Sequence, residues 1–545
     1  MTRRGIGALV LAFALVAGGC ADGGDVAGPG EGVGQGGAVQ EEPKYGGTLV
    51  VAGSDPGPLN PAITSAGTTH PVTGQIFNGL VRLNRDYEPE PDLAERWEVS
   101  EDGTTYTFNL VQDATWHDGR PFTSADVRFT FEQVLLEEHP RTSVTLGPVL
   151  EGIETPDEHT VVFDLKEPYP PFLKLVDEDN GGILPKHIFE GTDPRTNPAN
   201  NKPVGTGPFI FESEVQGDRI TLVRNPNYFK EGKPYLDSIV FRIIPDPQAL
   251  QAFLAGEVDV FSPTPQDLQR LEDMPEVEIG EDENKYFATV IRLIPNLKRE
   301  PFDDRRVRYA MAYAIDQEFI AKAVYPGVRV PATGPITREL EPFYTDNVMN
   351  FPRDLERAKA LLDEAGLPAG PDGVRFRASF IYDQGFARTA DLLKQQLGEV
   401  GIALDLQQME FQAWVQKLYL QKDFDLGYSQ LTDAPHPDIG TKRAFTCDNI
   451  KPVPFSNGEQ YCNPEVDALF AKAATEPDLD RQVELYEEIQ RVLVEQMPVV
   501  FLVDGGGPSA YRGEFTGFEE AAPKARYYFG ETVWWTQGSD EPSPR

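Results

Sequence analysis

The chain has 545 residues, with 49 Lys and Arg against 87 Asp and Glu, a formal net charge of −38 at pH 7. That balance excludes the basic footprint that nucleic-acid binding needs. It leaves an acidic surface, most of it merely solvated, that favours cationic or zwitterionic ligands over anions.

Residues 1–19 read as a signal peptide: Arg3 and Arg4 make a positive start, and 5–17 form an apolar run. At roughly a dozen residues that run is too short for a bilayer, which takes about 20. Val16-Ala17-Gly18-Gly19-Cys20 resembles the lipobox of bacterial lipoproteins, which makes Cys20 the expected lipidation site; an incidental cysteine after an ordinary signal peptide is the bland alternative. Residues 21–43, rich in Gly and acidic side chains, have nothing to build a core from and read as a flexible tether. The roughly 500 residues that follow exceed one core, so two or three domains are expected.

In chain order, 46–52 reads as a strand after a glycine pair, and 75–83 as a helix end running into a strand. Residues 94–110 form two alternating strands around Asp102-Gly103. Thr123 or Ser124 caps a helix with Asp126 in its first turn. Strand pairs follow at 153–165 and at 207–224, then a strand at 239–244 and a helix at 247–256 closed by glycine. The second half alternates helices at 303–320, 355–365, 389–400, 464–474 and 478–496 with strands at 376–381, 402–408, 425–429 and 499–503, an α/β pattern. With Cys20 lipidated, Cys447 and Cys462 remain as an even pair in an exported chain and suggest one disulfide; metal binding is the competing reading, with only His436 nearby.

Several ordered blocks carry a family resemblance. They are PDLAERWEVSEDG at 91–103, WHDGRPFT at 116–123, GTGPF at 205–209, RNPNY at 224–228, GEVD at 256–259, FDDRRVR at 302–308, AID at 314–316 and NPEVD at 463–467. Together they resemble the family 5 extracellular solute-binding proteins, the peptide and nickel binders of ABC importers. The resemblance implies an α/β fold of two lobes with a cleft that closes by a hinge, plus an extra subdomain in the first lobe. It implies a first lobe from 44–75, 200–290 and 505–536, an extra subdomain at 76–199, a second lobe at 291–504, and a disordered tail at 537–545. The implied function is peptide capture outside the cytoplasm and delivery to a membrane permease with its ATPases, by a lipid-anchored monomer without cofactor.

The resemblance also points to site residues. In peptide-binding members a segment like 428–438 carries an aspartate that pairs with the ligand's α-amino group, and Asp433 fits that place. A buried ammonium needs such a partner. Many members have Trp three residues earlier, where Gln430 stands here, and Tyr428 is an alternative aromatic wall. Thr64 and Ser65 fall where the family places cleft backbone, Gly205, Thr206 and Gly207 near the expected hinge, and Trp414 either lines a side-chain pocket or packs its helix. Arg292, Lys442 and Arg443 are open choices for a carboxylate partner, while Trp97, Trp116 and His117 read as fold residues.

Against these stand an enzyme, for which no Gly-x-Ser-x-Gly, His-Glu-x-x-His or phosphate loop is present, and a binder of another solute such as a nickel chelate or oligosaccharide. A surface sensor without a transport role is a third reading.

Overall fold

The computed structural model describes residues 42–84, 86–271, 273–280, 288–432, 435–518 and 529–539. The signal peptide, Cys20 and the tether up to residue 41 lie outside the described residues, as do Asp433 and Ala434.

Two α/β sheets dominate the chain from Pro43 onward. The first has seven strands in the order Val277–Ile279, Ala510–Arg512, Val260–Phe261, Thr48–Gly53, Ser238–Ile243, Arg219–Arg224 and Phe209–Val215. Its centre is parallel, with Thr48 opposite Ser238 and Gly53 opposite Ile243. The second has six strands in the order Val330–Pro331, Val500–Gly505, Thr289–Pro295, Leu426–Thr432, Phe376–Tyr382 and Ile402–Gln408. Strand Val500–Gly505 is buried at every position, as expected for a strand covered on both faces.

A four-stranded antiparallel sheet, Ala94–Val99, Thr105–Leu110, Thr160–Leu165 and Leu150–Asp157, stands beside the first. Its alternation of buried and half-buried positions is the period of a sheet packed on one face. Gly103, at φ +68°, makes the tight turn between its first two strands. Thr123 precedes helix Ser124–Thr130 and donates its N–H to Asp126 Oδ2 at 3.0 Å. Trp116 is buried, and His117 is pushed down to about 4 by burial, while its Nε2 bonds the Gly207 carbonyl at 3.0 Å. Both are fold residues, as expected; Trp97 is half-buried.

The second sheet carries its own helices. Residues 303–320 were expected as one helix and are two, Arg305–Ala314 and Gln317–Val324. The break falls at Asp316, whose side chain accepts the Phe319 N–H at 2.9 Å and starts a new N-terminus. Cys447 and Cys462 are bonded, with Cα atoms 4.5 Å apart. Residues 537–539 depart from the expected loose tail: Ser539 exchanges two backbone hydrogen bonds with Tyr45, at 2.6 and 2.7 Å.

Apolar burial separates the two sheets. One core joins the second sheet to its helices, and another joins the first sheet to the four-stranded one. Ile439 and Ala474 lie between second-sheet elements in sequence yet pack into the first-sheet core. The two lobes therefore touch through the segment around 436–445.

Candidate functional site

In open α/β sheets ligands bind beyond the carboxyl ends of the strands. In the first sheet these ends are Gly53, Ile243 and Phe261, with Ala510 opposite Phe261. In the second they are Tyr382, Gln408 and Thr432, with Thr289 opposite both Thr432 and Gly505.

A cavity of about 200 Å³ opens at the first set of ends. Val51, Val72, Phe241, Val260, Phe261 and Phe529 give it apolar walls, and Thr68 and Ser262 add hydroxyls. Thr68 Oγ1 is buried and has no hydrogen-bond partner among the described residues. A dry cavity of about 150 Å³ already takes benzene, so this one has room for a leucine- or phenylalanine-sized group.

The lobes meet through polar side chains. Arg443 Nη1 donates to Ser65 Oγ at 2.5 Å, and Tyr169 donates to Asp438 Oδ2 at 2.8 Å. Asp438 also holds Lys442, 3.2 Å away. Burial pushes the Asp438 carboxyl up, and Lys442 pulls against that shift. Gly57 sits where a Cβ would stand 3.0 Å from Gln412 Nε2 of the other lobe, and its φ of +66° also favours glycine.

Behind Ser65 lies a buried charge cluster. His70 contacts Asp179 at 3.0 Å and Glu178 at 3.6 Å, and Arg141 contacts Asp179 at 2.6 Å. Burial alone would lower the His70 pKa, but the two carboxylates outweigh it and raise it to about 9. His139 is held neutral, well below the usual imidazole range, by burial and by Arg141. Its Nε2 donates to the Thr64 carbonyl at 3.1 Å, and its Nδ1 accepts the Thr142 N–H at 3.1 Å.

The residues singled out in the sequence divide accordingly. Ser65 stands at the boundary through Arg443, while the Thr64 carbonyl is held by His139 on its own side of it. Gln430 is exposed on strand Leu426–Thr432, near the end that leads to Asp433. Tyr428 instead packs in the second lobe, stacked on Phe386 at 3.9 Å with its hydroxyl on Asp383 at 2.7 Å. Trp414 is buried beside it, 5.2 Å from the Tyr428 ring, so packing accounts for its position.

Gly205 and Gly207 press on Ile76: a Cβ would lie 1.8 Å from its carbonyl oxygen at Gly205 and 2.6 Å from its carbonyl carbon at Gly207. Thr206 Oγ1 donates to Asn78 Oδ1 at 2.9 Å, so all three serve a chain crossing. Arg141, Tyr169, Glu178 and Asp179 were not marked by the sequence. No local motif signals them, because their partners lie up to 269 positions away.

The family model described as bacterial extracellular solute-binding proteins, family 5 middle, matches residues 88–452. The chain is 31% identical over 521 residues to di/tripeptide-binding protein 2 of Pseudomonas aeruginosa, covering 90% of this chain and 95% of that one. Among solved structures, the oligopeptide-binding protein AppA of Bacillus subtilis, in complex with a nonapeptide, superposes with a TM-score of 0.82 at 26% identity, covering 91% of this chain and 100% of that one. MoaA of A. tumefaciens R10, in complex with mannopinic acid, does so with a TM-score of 0.80 at 27% identity, covering 90% and 99%.

Proposed function

The chain belongs to the family 5 bacterial extracellular solute-binding proteins, and from that premise we propose that it captures short peptides between its two lobes for an ABC importer. The observation that carries this reading is the 31% identity to a di/tripeptide-binding protein across 90% of the chain. The geometry supports it. An apolar cavity sized for one side chain is lined in part by Gly67 and Thr68, shortly after Ser65, whose hydroxyl meets Arg443 of the other lobe, and a zwitterionic peptide offers both apolar and polar chemistry.

In this reading the first lobe is built from 44–75, 200–290 and 505–536, with 76–199 as its extra subdomain, and the second lobe is 291–504. Asp433, directly after the strand end at Thr432, receives the ligand's ammonium group. Gln430 faces the same space. The lobes close on the ligand by a hinge, and the closed form is what the permease meets. Cys20 carries the lipid that holds the protein at the outer face of the cytoplasmic membrane. The protein works as a monomer that binds and releases its solute unchanged, without catalysis.

Thermal melting of the purified protein against di- to hexapeptides, free amino acids, sugars, opines and nickel chelates tests the proposal. A ligand at 100 times its dissociation constant adds about 2.7 kcal/mol. Stabilisation by peptides that is lost in Asp433→Ala supports both the class and the amine contact. A shift from an opine, a sugar or a chelate alone would leave solute capture standing and reject peptides.

A further inference from the structure

The chain passes between the two large sheets twice. Strand Val277–Ile279 of the first sheet precedes Thr289–Pro295 of the second, and Val500–Gly505 of the second precedes Ala510–Arg512 of the first. The two passages are paired at both ends, Thr289 with Gly505 and Ile279 with Ala510. A hinge between the lobes has to bend here.

One segment of the second lobe, 324–339, grips both passages. Arg329 donates Nη1 to the Thr289 carbonyl at 2.7 Å and Nη2 to Thr289 Oγ1 at 3.0 Å. Val330 pairs with Asp504, and Arg338 donates its backbone N–H and its Nε to Asp504 Oδ2 at 3.1 and 3.3 Å. Gly505 runs close against the segment: a Cβ there would stand 2.6 Å from the Val328 carbonyl oxygen, and its φ of +132° also favours glycine. The first lobe touches the start of the segment, where Gln266 Nε2 donates to the Val324 carbonyl at 3.4 Å.

Inside this brace the negative charge is short of donors. Asp504 is 1% exposed, and its Oδ1 is buried without a hydrogen-bond partner among the described residues. Glu339 is half-buried, and its Oε2 likewise has no partner there. Glu339 is faced by Asp504 from strand Val500–Gly505 and by Arg329 and Arg338 from its own segment. Burial first, and the Asp504 charge second, push its carboxyl up to about 7, against the pull of the two arginines. Neighbouring carboxyls that lack donors keep a proton more readily than a second charge. Arg329 is shared: its donors lie on Thr289, while Asp504 and Glu339 both attract its charge.

We propose that Glu339 is a proton-controlled brake on the hinge. With the carboxyl neutral, Arg329 stays on Thr289 and Arg338 on Asp504, and both passages are fixed. Once ionised, Glu339 gives its proton to solvent, repels Asp504 and draws Arg329 off Thr289, so the lobes part more easily. The carboxyl is raised from 4.5 in this arrangement, so its support is complete below pH 4.5 and is lost as pH rises through about 7. The proposal rests on the hinge motion in the reading above and holds whichever solute is captured.

Distances between nitroxides on exposed Val215→Cys of the first lobe and Leu479→Cys of the second, in ligand-free protein carrying Cys20→Ser, read the open and closed populations. We expect the open-to-closed ratio to rise about 10-fold from pH 5 to pH 8.5, with its midpoint near 7, the partial exposure of Glu339 holding the factor below that of its whole shift. Glu339→Gln should keep the low ratio throughout, and Glu339→Met is read the same way if it does not fold. Arg329→Met should show the high ratio at both ends of the range. The same rise in Glu339→Gln as in wild type, two populations in wild type whose ratio ignores pH, or a low ratio in Arg329→Met would overturn the proposal while leaving the hinge. A single fixed distance in every variant would overturn the hinge itself, and the brake with it.

Discussion

Arg308, inside the second lobe, and Arg443, at the boundary between the lobes, are both buried guanidiniums with no carboxylate partner among the described residues. They are completed differently. Arg308 donates to four backbone carbonyls, Phe302 and Asp303 at 2.7 and 3.0 Å and Gln496 and Met497 at 3.1 and 2.6 Å. The last two are the free carbonyls at the end of helix Leu479–Gln496, where a cation is welcome. Burial pulls Arg308 down to about 10, yet its donors are used. Arg443 has two bonds, one of them to the opposite lobe. Buried charge inside a lobe is finished by the chain itself. At the boundary Arg443 spends one of its two bonds on the opposite lobe.

Substitution at both positions can break that contrast. Arg308→Met leaves four carbonyls without their donor and should cost about 3–4 kcal/mol of unfolding free energy in urea. Arg443→Met should change the ligand-free protein by less than about 1 kcal/mol. Equal losses would show that Arg443 is also structural.

The next largest effect concerns the segment that carries Arg443. Asn449 Nδ2 donates to the Arg443 carbonyl at 2.6 Å, inside the loop closed by Cys447 and Cys462. Replacing both cysteines by serine should cost about 3 kcal/mol on the chain-entropy account of a loop this long.

The other side of the boundary is sharpened by pH. His70 has its pKa raised from 6.5 to about 9, so the folded protein holds a proton that the unfolded chain releases. Its contribution is complete below pH 6.5 and is lost as pH rises through about 9. The shift corresponds to about 3 kcal/mol. Urea unfolding from pH 6 to pH 9.5 should show the loss, and His70→Gln should flatten it. His436 acts oppositely: burial lowers it to about 3, so its contribution is present above pH 6.5 and falls away toward pH 3.

A smaller loss is expected from Tyr169→Phe. It removes the 2.8 Å bond to Asp438 across the lobes and should cost about 1–2 kcal/mol. A melt unchanged by this substitution would mean that the contact carries no weight.

Much of the fold was legible because it is written locally. Strand Ile402–Gln408 and the hairpin at Gly103 follow from alternation and turn chemistry. The helix break at Asp316 was missed, because an aspartate inside a helical pattern reads as an exposed residue until its N-capping bond is seen. The site was less legible. Tyr428 read as an alternative wall and Trp414 as a pocket or packing residue; aromatic residues near a strand end suit both places, and both rings pack inside the second lobe, Tyr428 on Phe386 and Trp414 on Tyr428. Gly205 and Gly207 fell near the expected hinge, and the need for glycine there comes from Ile76, more than a hundred positions earlier. Arg443 stood among three candidate cations, and what separates it from Arg292 and Lys442 is that those two have a carboxylate partner, Glu459 and Asp438, among the described residues.

Mass spectrometry of the small molecules released when the freshly purified protein is denatured tests the central claim most directly. The account predicts short peptides, enriched in an apolar residue and bearing a free carboxylate. A sugar, an opine or a metal chelate released in their place, with no peptide, would contradict it.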